Sequence, residues 1–275
     1  MAPPPPLADL LHAFPSVLVG YSGGVDSALV AVVARQVLGG ERAAAAIGRS
    51  ASYPAAQYRQ ALEIARQFDL TLIEADTGEL DDPAYTTNRP DRCFFCKQEL
   101  WRVLGRIARE RGYAVIADGT NAGDRQEHRP GERAGRAAGI RSPLLEAGYT
   151  KDDVRREARA LGIPVWDAPA APCLSSRIQY GLPVTPGRLQ QVEAGEAMLR
   201  AAGVRGDLRV RHRGDEARIE VNPEEFGVVR AGREEIGTRL LALGFRRVTL
   251  DLSGYRRGSL LRTDARGPEV LAERD

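Results

Sequence analysis

Cysteine, histidine, tryptophan and methionine are all scarce: three, three, two and two among 275 residues, with aromatic residues at only 6%. Three is an odd number, and in a reducing compartment such cysteines do not act as disulfide staples, so they need another explanation. His12, His128 and His212 lack the short spacings of metal-binding pairs, so a histidine-built zinc site is not indicated. No stretch reaches the roughly 18 uncharged apolar residues that a membrane span needs. The opening MAPPPPLADLLHAF has no basic segment and no sustained apolar run, so no secretory leader is read there. A cytoplasmic location is therefore expected, with no membrane partner. Charge of one sign is missing as well. With 39 basic and 37 acidic residues the net charge is +2, which counts against a dedicated nucleic-acid binder. Arginine far outnumbers lysine, a bias that genome composition accounts for as readily as function does. There is no internal repeat.

Hydrophobic residues at 43% and charged residues at 28% give the chain the material for a packed core. Its length suits one large domain or two ordinary ones. From Val17 to about Trp166 the pattern alternates. SVLVGY, RAAAAIG, TLIEAD and YAVIADG read as strands. SALVAVVARQVLGG, PAAQYRQALEIARQFDL, a segment from about Phe94 to Glu110, and KDDVRREARALGI read as helices. Short apolar strands separated by amphipathic helices predict a parallel sheet covered on both faces, an α/β doubly wound fold. After the loop DAPAAPCLSSRIQYGLPVTPG the texture changes. A helix (GRLQQVEAGEAMLRAAG) leads to LRVRHRGDEARIEV, a hairpin turning at Arg213, Gly214 and Asp215. A second helix over residues 223–244 and the strand RRVTLDLS complete a smaller α+β unit. The expected domains are 1–182 and 183–275, parted in the proline-rich stretch near Leu182 to Pro186.

The chemistry concentrates at SGGVDS, residues 22–27. A strand ends at Tyr21 and a helix begins near Asp26. Glycines between them let backbone N–H groups converge on an anion, and the helix N-terminus favours negative charge. Ser22 and Ser27 add hydroxyls. No lysine follows, so this is not the P-loop pattern. Asp26 belongs at an anion site only if it holds a metal ion, Mg2+, shared with phosphates. A serine- or aspartate-capped turn would have the same letters. The stretch resembles the SGGxDS loop of the ATP pyrophosphatase superfamily. That resemblance implies ATP cleavage between the α and β phosphates, with AMP passed to a substrate oxygen. It also implies nucleotide contacts at Gly48, Arg49 and Ser50, and at Gly119 and Asn121, which follow later strands.

Cys93 and Cys96 stand three apart at a helix start, where the dipole favours thiolate, and Cys173 lies in a proline-flanked loop. Three thiolates suit a [4Fe–4S] cluster with one open iron; a redox CxxC pair and inert buried cysteines are the alternatives. Taken in order, SGGVDS, NRPDRCFFCK, ADGTNAGD, RPGERAGRAAGIRSPLLEAGYTK, WDAPAAPCLSSRIQYG and RVRHRGDEARIEV are similar to the LarE family of ATP-dependent sulfur transferases. The resemblance covers nearly the whole chain. It implies conversion of pyridinium-3,5-biscarboxylic acid mononucleotide to its bis-thiocarboxylic form, a step toward the nickel-pincer cofactor of lactate racemase. In one type of this family a cysteine matching Cys173 gives up its sulfur. In the other, a three-cysteine [4Fe–4S] cluster delivers sulfide, and Cys93 and Cys96 align this chain with that second type. By the same resemblance Cys173 and Asp26 are catalytic, Ser176, Arg177, Arg209 and Arg211 hold the substrate, and the assembly is a homo-oligomer of hexameric kind. Arg209 and Arg211 alternate on a strand and share a face, as a phosphate clamp or a solvated ion-paired face would. Glu196 and Glu220 are candidates to pair with them or to bind a metal between subunits. Trp101 reads as helix core. The competing activities are tRNA thiolation, amide formation as in NAD or GMP synthetases, and a nucleotide-binding module without turnover.

Overall fold

The computed structural model describes residues 6–123, 130–169, 172–256 and 269–274. His128 and most of the proline arm lie outside them. Two compact units form. The first is Met1–Asp82 with Asp91–Ala171, and the second is Pro83–Pro90 with Pro172–Asp275.

The first unit opens with helix α1 (Leu7–His12), which the sequence reading does not contain, and strand β1 (Val17–Gly20). Then come α2 (Val25–Leu38), β2 (Ala43–Arg49), α3 (Ala55–Gln67) and β3 (Thr71–Asp76). Further along, α4 (Pro83–Thr86) belongs to the second unit, and α5 (Arg92–Arg111), β4 (Val115–Ala117), α6 (Pro130–Ala137), α7 (Pro143–Glu146) and α8 (Lys151–Ala160) to the first. The sheet order is β3-β2-β1-β4 with every pairing parallel. Alternation along the strands sorts side chains onto two cores. Val17, Val19, Ala43, Ala45 and Ile47 pack with α1, α2, α3 and α8, whereas Leu18, Ala44, Ala46, Ile73 and Ala75 pack with α5 and α6. Both faces thus carry a packed core and the unit is doubly wound, while the edge strand β3 keeps an exposed side with Glu74 and Asp76. Function is left to the strand ends.

The second unit holds α9 (Pro186–Ala201), β5 (Leu208–Arg213), β6 (Glu216–Val221), α10 (Phe226–Ala231), α11 (Arg233–Ala242), β7 (Arg247–Leu250) and β8 (Glu269–Glu273). Its sheet order is β5-β6-β7-β8, with β6 and β7 parallel and the outer pairs antiparallel. The single helix expected over 223–244 is two, broken at Gly232, where the chain gains backbone freedom that a helix interior disfavours. The strand β8 is a further element that the sequence reading lacks. Leu208, Val210, Ala217, Ile219, Val221, Val248 and Leu250 give the sheet one apolar face, packed with residues of α9, α10 and α11. Alternation then puts Arg209, Arg211, Arg218, Glu220, Thr249 and Asp251 on the other face, and these too are buried. Among the described residues no helix is long and apolar enough to cross a membrane.

Candidate functional site

At the carboxyl edge of the first sheet, residues 22–24 join β1 to α2. Gly23 has φ 66°, and a Cβ there would stand 2.6 Å from the Ala61 Cβ, so glycine is required twice over. The Ser27 hydroxyl accepts from the Ser22 amide at 3.1 Å and donates to the Gly24 carbonyl at 3.0 Å, which locks the turn. The Ser22 carbonyl accepts from the Tyr53 hydroxyl at 2.8 Å and from Gln57 Nε2 at 3.0 Å. Burial, with Tyr58 adding to it, holds the Tyr53 phenol protonated and so a donor. The N-cap of α2 is Gly24, which offers no side chain to cap the first amides of the helix. Gly119, after β4, packs against this helix start so tightly that a Cβ would lie 2.6 Å from the Ser27 nitrogen.

Asp26, on the first turn of α2, is held from both sides. Asn121 Nδ2 donates to its Oδ1 at 3.0 Å, and Lys151 Nζ to its Oδ2 at 2.6 Å. The loop that lacks a lysine in its own sequence receives one from α8. The capping box of Thr150 with Asp153 fixes the start of that helix and so the base of the lysine side chain. Lys151 and Lys97 are the chain's only lysines, beside thirty-seven arginines. In a chain so biased to arginine, a lysine on the anion loop argues for a compact, mobile ammonium rather than a guanidinium fork.

Ser50 follows β2, and Gly48 lies under Leu100, whose Cδ1 would be 3.1 Å from an added Cβ. Arg49 turns its side chain to Asp76 at 2.8 Å and Glu74 at 3.1 Å on the exposed side of β3, and these carboxylates raise its pKa further. Ser50 and Ser52 both donate to Oε1 of Glu79, which sits in a 3-10 turn after β3 and is 3% exposed. Its Oε2 is buried with no hydrogen-bond partner among the described residues.

Cys93 and Cys96 occupy the first turns of α5, Cys93 exposed and Cys96 half-buried. Cys173, also half-buried, is on the second unit, and none of the three is in a disulfide. In kind, three thiols suit an iron–sulfur cluster. Among the described residues, however, no three His, Cys, Asp or Glu side chains gather as a metal centre. Trp101 is buried in the core between α5 and the sheet, its ring 2.9 Å from where a Cβ on Gly20 would be.

Cys173 caps a 3-10 turn of Leu174–Arg177. Its sulfur lies 2.9 Å from the hydroxyl of the fully buried Ser175, and its carbonyl accepts from the Ser176 amide and from Arg177 Nη1, both at 3.0 Å. Arg177 also grips Glu196 through two bonds of 2.9 and 3.0 Å, and its Nη1 reaches the Ser176 hydroxyl at 3.1 Å. Arg211 bonds the Ser176 carbonyl at 2.8 Å and pairs with Glu220, 2.8 Å away, where both side chains are under 10% exposed. Arg209 differs. It is 8% exposed and forms no ion pair with any described residue; it bonds the Leu208 carbonyl at 2.5 Å and the Tyr255 hydroxyl at 3.4 Å and lies over the Tyr255 ring. Desolvation first, then the neighbouring Arg177, lower its pKa, and the nearby Glu196, which is bonded to Arg177, offsets this only in part. One cluster thus joins Cys173, Ser176, Arg177, Arg209 and Arg211. Asn88, fully buried, supports it. Its side chain donates to the carbonyls of Ile178, Gln179 and Leu182 at 3.3, 2.9 and 2.8 Å.

The family model for NAD synthase matches residues 11–98, which span β1 to the first turns of α5. An uncharacterised protein of Synechocystis is 41% identical over 89% of this chain and 91% of its own length. The pyridinium-3,5-bisthiocarboxylic acid mononucleotide synthase of Lactiplantibacillus plantarum is 35% identical over 89% of this chain and 88% of its own. An uncharacterised protein of Methanocaldococcus jannaschii is 27% identical over 87% and 90%. With more than a third of positions identical across nearly all of both chains, this chain belongs to the family of the pyridinium-3,5-bisthiocarboxylic acid mononucleotide synthase.

Proposed function

We propose that this chain is an ATP-dependent sulfur transferase which adenylates the carboxylates of pyridinium-3,5-biscarboxylic acid mononucleotide and replaces an oxygen of each by sulfur. The observation that carries the reading is Lys151 on Asp26 at the open, uncapped start of α2, beside a glycine turn. An acid neutralised by a lysine above exposed amides is a site waiting for a more highly charged anion, and the phosphates of ATP are that anion. The amides of the loop and the Ser22 hydroxyl bind the departing pyrophosphate. Lys151 transfers its ammonium from Asp26 to the charge that builds on the leaving group. Asp26 is the residue that would hold Mg2+ shared with the phosphates, and the ion, when bound, would draw off part of their charge.

A substrate carboxylate oxygen attacks the α phosphorus, the bond to pyrophosphate breaks, and an acyl adenylate forms. Sulfur then attacks the acyl carbon and AMP leaves with the C–O electrons. Arg209, with Arg211 beside it, is suited to the substrate phosphate, because its buried charge has no carboxylate of its own. Sulfur handling rests with Cys93, Cys96 and Cys173. These thiols would hold a [4Fe–4S] cluster by three ligands, and when bound it would supply an iron able to carry sulfide. The place of the reaction is then in assembly of the nickel-pincer cofactor of lactate racemase, in a homo-oligomer.

The test is pyrophosphate release from Mg-ATP on the anaerobically purified protein. Release that depends on the pyridinium dicarboxylate mononucleotide, with sulfur appearing in the product, supports the reading. Equal release with and without that substrate, or with tRNA alone, overturns it. Iron and acid-labile sulfide contents near four of each per chain support the cluster; their absence in a protein that turns over repeatedly overturns it.

A further inference from the structure

Glu79 is the one carboxylate at the nucleotide edge with an oxygen that no described group satisfies. The side chain is 3% exposed. Oε1 takes the hydroxyls of Ser50 and Ser52, and Ser52 is itself placed by its amide bonding Ser50 Oγ at 2.9 Å. Oε2 is buried and bare. A desolvated carboxylate oxygen without a donor costs about 1–3 kcal/mol or more, so a group with an N–H or O–H is called for. The two serines are already spent on the other oxygen.

Position narrows the donor. Ser50 follows the last residue of β2 and Glu79 follows β3, so both lie on the carboxyl edge where ligands of open parallel sheets bind. The phosphate loop follows β1, and β3 is two strands away in the order β3-β2-β1-β4. At roughly 4.8 Å per strand that is about 10 Å. A nucleoside triphosphate with its phosphates at the loop carries its ribose close to them and its base furthest away.

We infer that Glu79, through Oε2, accepts a hydrogen bond from the exocyclic amino group of the adenine and so selects ATP over purine nucleotides with an oxygen at that position. This rests on the reading of the loop as the phosphate site. A 6-oxo purine would face the carboxylate with a second acceptor, and both lone pairs would be left unpaired. The serines are positioning groups: they hold Oε1 and thereby aim Oε2.

The experiment is calorimetric binding of ATP, ITP, 2′-deoxy-ATP, 3′-deoxy-ATP and inorganic tripolyphosphate to the full chain and to Glu79→Ala. The wild type should prefer ATP to ITP about tenfold or more. In Glu79→Ala the two should bind alike, with tripolyphosphate affinity unchanged, which also reports an intact loop. Equal ATP and ITP affinities in the wild type overturn the inference, as a water on Oε2 would give, and this holds even if the variant fails to fold. A preference that survives in Glu79→Ala overturns it too. If the variant instead loses discrimination against the deoxy nucleotides, the oxygen serves the ribose and the base assignment falls. A wild type that binds tripolyphosphate yet ignores the base refutes only the role of Glu79. One that binds neither ATP nor tripolyphosphate refutes the loop reading beneath it.

Discussion

The two sheets carry their charges in opposite ways. In the first, both faces carry apolar cores, and the ion pair of Asp26 with Lys151 lies at the carboxyl edge with side chains 25% and 40% exposed. In the second, one whole face is charged and buried, and Arg211 meets Glu220 with side chains 8% and 4% exposed. An ion pair in reach of water costs little to open, so it can exchange its partner for a ligand. A pair sealed from water is held by its own desolvation and cannot open without great cost. The first arrangement suits a site whose ligand arrives and leaves as pyrophosphate does, and the second suits a rigid frame. Arg209, on that frame but without a carboxylate, combines the burial of the second with the vacancy of the first.

The strongest way to break this comparison is to remove one partner from each pair. Glu220→Gln should cost about 3–5 kcal/mol, because Arg211 is left charged and buried. Replacing both, Arg211→Met with Glu220→Leu, should recover most of that loss. Asp26→Asn should change stability by no more than about 1 kcal/mol. Urea unfolding of the three variants decides the matter, and a Glu220→Gln loss no larger than that of Asp26→Asn would remove the distinction between the two pairs.

Lys151→Ala sharpens the same contrast from the side of activity. Its unfolding midpoint should match the wild type within error, while initial-rate pyrophosphate release should fall about 10²–10³-fold, mainly in kcat. Lys151→Arg should restore little, since a planar fork cannot move between carboxylate and phosphate as an ammonium does. Full activity in the arginine variant would mean that the lysine has no catalytic reason to be there.

How far all this was legible beforehand follows the range of the interactions. The turn at residues 22–27 is legible because glycine conformation and a strand-to-helix junction are local, and the doubly wound sheet is legible because alternation of strands and helices is too. The pairing of Lys151 with Asp26 joins residues 125 apart. Only the capping box at the start of α8 announces that a helix begins beside the lysine; nothing local says what the lysine meets. Asn88 is harder still, because Pro83–Pro90 leaves the first unit and joins the second, so the units are not consecutive stretches of chain. The break at Gly232 is missed for a local reason, since residues 223–244 read as one amphipathic helix and a lone glycine in such a run does not by itself end it. The charged face of the second sheet shows in the alternation of Arg209 with Arg211, but its burial does not. Alternating charge is the pattern of a solvated face, and only the covering segments reverse that.

His212 tests the apolar face of the second sheet. It is 3% exposed, stacked near Phe245 with ring centroids 5.0 Å apart, and Nε2 meets Gln191 Oε1 at 2.9 Å. Burial first, and Arg188 second, bring its pKa down from 6.5 to about 4. The unfolded chain therefore binds a proton that the folded chain refuses between those values. Stability from this group is complete above pH 6.5 and is lost as pH falls toward 4, by at most about 3 kcal/mol. Urea midpoints at pH 7 and pH 4.5 should differ in the wild type, and His212→Phe should flatten that slope. An unchanged slope would place the acid sensitivity on other groups.

The smallest expected effect bears most directly on what Arg209 is for. A buried guanidinium with no carboxylate should be stabilised by an anion that reaches it, whereas the paired Arg211 should gain little. Inorganic phosphate at ten times its Kd should then raise the unfolding free energy of the wild type by about 1.4 kcal/mol. Arg209→Gln should abolish the response and cost the phosphate-free protein less than Glu220→Gln does, because no buried charge is orphaned by the change. Arg211→Gln, despite a lower starting stability, should keep a response to phosphate. The reverse result, with the response lost at Arg211 and kept at Arg209, would mean that the vacancy at Arg209 is filled by Tyr255 and the Leu208 carbonyl alone, and that compensation by Glu220 does not keep Arg211 from serving a ligand.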